Sequence, residues 1–249
     1  MAVMDEFREE REMIKHGTKE QKIQYFKDYY RTPLIIAIIA VIFIGAFLYN
    51  YFTAKETAFY AAMLNASSYG KEETFEQAFA EAAGIDLNKY SIFFDMGFYY
   101  KFSSTDEDTY ITAQKLSAYT GAAALDVMLG SGAEFAVFAN SPLFYDLRLV
   151  LNEDQIAAYE PYFYYVDEAV SERLASSGID STEFADFPDP RHPEEMEKPV
   201  PVAIFVDRSE NLTQNYYFRN SEENGVALGI YSNSTHVDYA VKLIDYLLK

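Results

Sequence analysis

Hydrophobic and polar positions change their spacing along this chain, and the change divides it into segments. Leu34 to Tyr49 is an uncharged apolar run that reaches 19 residues with Asn50, Tyr51 and Phe52, about 28 Å as a helix. No polar stripe interrupts it, which predicts a membrane span over 33–52 rather than a core helix. Pro33 is expected at the first helical position, where its missing N–H costs nothing. Tyr29, Tyr30, Tyr49 and Tyr51 flank the run as interfacial aromatics. Ahead of it, Met4, Phe7, Arg11 and Ile14 mark a narrow helical stripe ending at Gly17. Thr18-Lys-Glu-Gln21 then reads as the capping box of a second helix. That helix carries Ile23, Phe26 and Tyr30 on one side, with Lys19, Lys22, Lys27 and Arg31 on the rest, so residues 1–32 are expected to form a helical arm. The arm either lies on a membrane surface or runs directly into the span.

Beyond residue 53, strand-length apolar runs alternate with helical periodicity. Ala58 to Leu64 predicts a first strand, and Phe75, Ala78, Phe79 and Ala82 predict a helix stopped by Gly84. Ile92 to Tyr100 is apolar almost throughout, as in a strand buried on both faces. Ser104-Thr-Asp-Glu107 is expected to cap a helix running to Gly121. Leu125 to Leu129 predicts a third strand, and Ser131-Gly-Ala-Glu134 a cap for a short helix ending near Asn140. The βαβαβα order implies parallel strands with helices on both faces. Val202 to Val206 and Val226 to Tyr231 predict two more strands. Thr235 to Leu248 predicts an amphipathic helix whose Asp238–Lys242 and Asp245–Lys249 spacings suit exposed i,i+4 pairs. Between the halves, residues 167–200 are polar, and five of the eight prolines lie at 188, 190, 193, 199 and 201, which predicts an exposed excursion. The fold class is therefore α/β: an N-terminal transmembrane helix followed by a parallel or mixed-sheet lobe over 53–249.

Composition narrows the function. The chain has no Cys, which excludes disulfides, thiolate metal sites and a lipidated anchor. Its net charge of -19 disfavours nucleic acid as a partner. That charge is unevenly placed: residues 1–52 hold seven acids and seven bases, so the whole excess belongs to the segment after the span. Seven Lys and Arg precede the span, whereas only Lys55 and Lys71 occur in the twenty residues after Phe52. This asymmetry predicts a retained signal anchor of a cell-membrane protein, N-terminus cytoplasmic and C-terminal domain extracytoplasmic.

The stretch from Thr112 to Leu147 resembles the extracellular solute-binding proteins of bacterial ABC transporters. The matching points are Asp126 and Val127 at a strand start, the Gly130 to Gly132 turn, Phe135, and Asp146 with Leu147. The ending GIYSNSTHVDYAVKLIDYLL resembles that family's terminal strand and the helix that returns to its first lobe. The resemblance implies a lobe of the periplasmic-binding-protein fold. About fifty residues, Val150 to Val200, stand where the family inserts a second lobe, too few for an independent core, so a single reduced lobe is expected.

Ligands of open parallel sheets bind beyond the strand carboxyl ends. Three small polar loops are candidates there: Asn65, Ser67 and Ser68; Gly130, Ser131 and Gly132; and Ser232 with Asn233. They suit a small polar ligand held by hydrogen bonds, although Ser131 and the glycines equally serve as cap and turn residues. The aromatics at Phe93–Tyr100, Tyr159–Tyr165 and Tyr216–Phe218 suit core packing, and without Trp a sugar platform is disfavoured. Asp106-Glu-Asp108 lacks calcium-loop spacing. His16, His192 and His236 form no metal or catalytic motif. No enzyme activity, cofactor or metal is expected. The expected function is binding of a small polar ligand or a membrane protein partner, the alternative being a structural or assembly component of a bacterial cell-envelope complex.

Overall fold

The computed structural model describes residues 15, 17–27, 31–101, 104, 106–177, 187–221 and 225–249. The chain divides into two compact units, Met1–Ala54 and Lys55–Lys249. In the first, α1 (Lys19–Tyr25) begins at the expected capping box: Thr18 Oγ1 accepts from the Gln21 N–H at 3.4 Å, and Gln21 Oε1 accepts from the Thr18 N–H at 2.9 Å. The Met4–Ile14 stripe and Tyr30 lie outside the described residues. α2 (Arg31–Thr53) is one helix of 23 residues, roughly 34 Å long. Pro33 is its third residue, not its first; all of the first four N–H groups lack intrahelical acceptors, so the ring is tolerated there as well. The apolar window of α2 has no residue buried against protein, and the helix is long and apolar enough to cross a membrane.

The second unit is built on β1 (Glu56–Leu64), which sits inside a six-stranded mixed sheet ordered β3-β1-β4-β8-β6-β5. Its residues alternate between two cores. Phe59, Ala61 and Met63 meet Phe75 and Phe79 of α3 (Glu72–Ala83) and Leu243, Ile244 and Leu247 of α9 (Val237–Leu248), the helix that follows the short α8 (Glu210–Thr213). Ala62 and Leu64 face Leu116 of α4 (Glu107–Gly121) and Phe135 of α5 (Gly132–Ala139). The period-two alternation of a strand thus places helices on both faces. β1 runs parallel to β3 (Tyr90–Phe98) and to β4 (Val127–Ser131), as the βαβαβα order predicts.

The second half departs from parallel order. β8 (Val226–Ile230) is antiparallel to β4, β6 (Pro199–Phe205) is antiparallel to β8, and β5 (Phe163–Asp167), a strand the sequence reading does not assign, is antiparallel to β6. Instead of a second lobe, α6 (Glu153–Tyr159), β5 and α7 (Glu168–Ser177) extend the same unit. β3 is an edge strand, not one buried on both faces: Ile92 and Phe94 are buried while Phe93 is 42% exposed. Its outer edge is partly closed because Asp95 Oδ1 accepts from the Gly97 N–H at 2.7 Å. At the other edge, the Tyr165 N–H donates to Pro190 O at 3.0 Å.

Several local expectations are corrected. Gly84 does end α3, at φ +73°. The cap of α4, however, is Asp106, which accepts from the Thr109 N–H at 2.7 Å while Ser104 Oγ supports the Asp106 carboxylate. Ser131 ends β4 and makes no cap bond. In α9, Lys242 donates to Ala83 O and Asp245 accepts from Tyr159 and Gln155, so tertiary partners take the place of the i,i+4 pairs. The excursion is exposed along much of 187–198, but its base is fixed. Asp167, only 5% exposed, accepts from the N–H groups of Ala169, Glu197 and Lys198 at 2.9–3.1 Å. Burial alone would raise this carboxyl's pKa; the three N–H donors outweigh it and hold the group below its usual range.

Candidate functional site

The sheet has a switch point. After β1 the chain moves to β3 on one side, and after β3 it returns to β4 on the other, which leaves a crevice at the carboxyl ends of β1 and β4. Two of the three predicted loops meet there. A third segment already occupies the place. β2 (Ala66–Ser68) and β7 (Tyr216–Phe218) pair antiparallel, with Ser67 opposite Tyr217. This ribbon brings the turn at Arg219 across the crevice: the Arg219 N–H donates to Asn65 O at 3.2 Å, and Ser131 Oγ donates to Arg219 O. Asn65, at φ +54°, commits its side chain to the segment that follows β3, donating to Tyr100 O at 2.7 Å and accepting from the Tyr100 N–H at 2.9 Å. Ser68 Oγ accepts from the Gly70 N–H at 2.7 Å.

Gly130 and Ser131 are buried strand residues, not loop. A Cβ on Gly130 would lie 3.1 Å from the Phe135 ring and 3.2 Å from Leu64 Cβ, so a side chain there would press on the core. Gly132 serves the turn at φ +64°. Ser232 and Asn233 do not join this edge. Because β8 is antiparallel to β4, they follow its far end, beside the start of β4, where the Ser232 N–H donates to Leu143 O and Asn233 Nδ2 donates to Thr120 O. Direction of pairing, invisible in the local pattern, separates them from the other two loops.

At that far edge lies a cluster the sequence reading does not assemble. Asp126, 2% exposed, accepts from the Tyr60 N–H at 2.8 Å and from Ser234 Oγ at 2.6 Å, and its Oδ1 is 3.2 Å from His236 Nδ1. These are the residue types of a nucleophilic triad, but the order is wrong for one. A triad needs the imidazole between serine and carboxylate. Here the Ser234 hydroxyl donates to Asp126 directly and accepts from the His236 backbone N–H, not from the ring, at 3.1 Å. The arrangement clasps β1, β4 and the start of α9. Asp126 at the strand start and the Asn/Ser/His run after β8 are the sequence signals that pointed toward it.

Tyr60 links this clasp to a charged pair. Its hydroxyl donates to Asp95 Oδ2 at 2.5 Å, and Lys115 Nζ lies 2.7 Å from the same oxygen and 3.9 Å from the Phe98 ring centroid. Burial pushes the Tyr60 hydroxyl's pKa up, reinforced by the bond to Asp95. For Asp95, burial acts upward, but hydrogen bonds from Lys115, Tyr60 and the Gly97 N–H prevail and hold it low.

Of the open grooves on the second unit, two are lined in part by β5 residues. One, of about 550 Å³, is lined by Glu160, Tyr162, Tyr165, Arg191, Glu194 and Arg208 among others, with the Arg191 guanidinium 3.7 Å above the Phe205 ring. The other, of about 330 Å³, has an apolar floor of Phe144, Val166, Val200 and Val202 and acids at Asp146, Glu168 and Glu172. Asp167, which follows Val166 and precedes Glu168, holds together the segments that border both. The aromatic clusters are largely core: Tyr216 meets Phe75 edge-on at 5.1 Å, and Tyr164 meets Phe205 at 5.2 Å. Among the described residues, no group of three or more His, Asp or Glu side chains is placed to hold a metal ion. Compared with family models, with curated proteins and with solved structures, the chain matches none.

Proposed function

We propose that this chain is a single-pass protein of a bacterial cell membrane, with residues 1–32 cytoplasmic, and that its acidic outer domain binds a partner protein within an envelope assembly. The fold is read as a reduced solute-binding lobe. In support, β1, β3 and β4 are parallel with helices on both faces, and α9 returns onto α3, as the resemblance implies. One observation carries the choice of partner protein over small ligand: the strand carboxyl edge, where a small ligand would sit, is filled by the Arg219 turn. The ribbon covering it presents Tyr69 and Tyr217, 60% and 47% exposed, aromatics of the kind that anchor protein interfaces. Crosslinking and capture of the full-length protein from its membranes tests this. A stoichiometric membrane partner lost with Tyr69→Ala/Tyr217→Ala supports the reading, and a lone monomer refutes it.

A second reading, capture of a small polar ligand, rests on the 550 Å³ groove, whose arginines, acids and tyrosines offer hydrogen bonds of both senses. Thermal-shift screening of residues 55–249 against sugars, amino acids and peptides decides it. Stabilisation abolished by Arg191→Ala would favour ligand capture.

A further inference from the structure

Contrary to the expected division into an apolar side and a charged remainder, α1 and the turn of Phe26 and Lys27 that continues it carry lysines and apolar residues on the same side. At about 100° per residue, Lys22, Phe26, Lys19, Ile23 and Lys27 fall in that order within about 140° of one another. Glu20 borders this arc beyond Lys27, and Gln21 and Gln24 occupy the opposite side. Ile23 and Phe26 are 56% and 52% exposed, and all three lysines are exposed. Lys22 Nζ donates to Lys15 O at 3.2 Å, which leaves its charge and two further protons available. Apolar side chains interleaved with lysines, Lys19 lying between Phe26 and Ile23 with Lys22 and Lys27 at the margins, differ from an ordinary solvated helix, whose charges sit opposite its apolar stripe. They suit a surface at which the two apolar side chains meet acyl chains while the long lysine stems reach up to anionic oxygen.

We infer that α1 is a surface-docking element whose Lys19/Lys22/Lys27 face binds anionic phospholipid headgroups, with Ile23 and Phe26 set into the acyl boundary. The occupant follows from the chain itself. α2 begins six residues after α1 ends, so if α2 spans the bilayer, as proposed above, α1 cannot lie far from the headgroups. The inference rests on that reading of α2. Three lysines near an anionic surface contribute about a fivefold gain in docking each, which Glu20, the one acid of α1, offsets only in part.

The chain contains no Trp, so a single introduced Trp reports its own surroundings. Full-length Ile23→Trp protein, and separately Phe43→Trp protein, would be reconstituted in vesicles of phosphatidylcholine alone or with about one-third phosphatidylglycerol. Emission and quenching by brominated acyl chains are then recorded. The Phe43 probe checks the span: if it escapes quenching, the membrane reading of α2 itself fails. With that probe quenched, the expected result is that the Ile23 probe shifts to shorter wavelength and is quenched in anionic vesicles only. The shift should be lost in about 1 M salt, where the Debye length is about 3 Å, and in Lys19→Gln/Lys22→Gln/Lys27→Gln protein. A water-like Ile23 probe in both lipids, or one buried equally in both, overturns the inference while leaving the span intact.

Discussion

Asp167 is the point where removing a single charge should do most. Its carboxylate fixes the base of the excursion: Oδ1 accepts from the Ala169 and Lys198 N–H groups at 3.0 and 3.1 Å, and Oδ2 from the Glu197 N–H at 2.9 Å. Asp167→Asn keeps one carbonyl oxygen, enough for the two donors at the Oδ1 position, but sets an amide NH₂ against the Glu197 N–H. One charge-assisted bond is lost and two are weakened, which costs about 2 kcal/mol; Asp167→Ala orphans all three donors and costs about 4 kcal/mol. Urea unfolding of residues 55–249 measures both. The pH dependence follows from the lowered pKa. A carboxyl whose folded pKa lies below its unfolded value, about 3.9, contributes stability that is fully present above that value and lost as pH falls through the folded one. The gap between wild type and Asp167→Asn should therefore be flat from about pH 8 to about pH 5 and close below about pH 4, where protonated Asp167 resembles Asn. The remaining carboxyls are common to both proteins and cancel. A gap under about 0.5 kcal/mol at neutral pH, or one unchanged at about pH 3, would refute the reasoning.

Three further outcomes are expected. Asp126→Ala leaves the Tyr60 N–H and Ser234 hydroxyl unpaired beside the core and should destabilise the outer domain by about 3 kcal/mol in urea, while a serine-directed phosphonate should fail to label Ser234 in the wild type. Gly229→Ala places a Cβ 2.8 Å from the Phe144 ring and should cost about 1–3 kcal/mol; thermal melts should show partial rescue by Phe144→Leu, which withdraws that ring. Tyr69→Ala/Tyr217→Ala removes exposed rings, so unfolding should change by less than about 0.5 kcal/mol even as partner crosslinking falls.

Residue types alone determined the features that depend on near neighbours in the chain. The apolar run of α2 has no polar stripe and is uncovered in the structure. The Thr18–Gln21 box caps α1, and Gly84 ends α3 in the left-handed conformation, because capping and φ > 0 are local demands. Five of the eight strands among the described residues were legible too, within about two residues at most ends, whereas β2, β5 and β7 were not. What the tertiary structure decided was direction and occupancy. An apolar strand reads the same whichever way its neighbour runs, so nothing local separated Ser232 and Asn233 from the loops at Asn65 and Gly130. A short polar side chain offers the same atoms to a ligand or to its own chain. Only the meeting of Arg219 with Asn65 and Ser131, at sequence separations of 154 and 88 residues, shows that the crevice is filled from within. The edge position of β3 and the joining of β5 to the same sheet are decided likewise by long-range pairing, which periodicity does not encode.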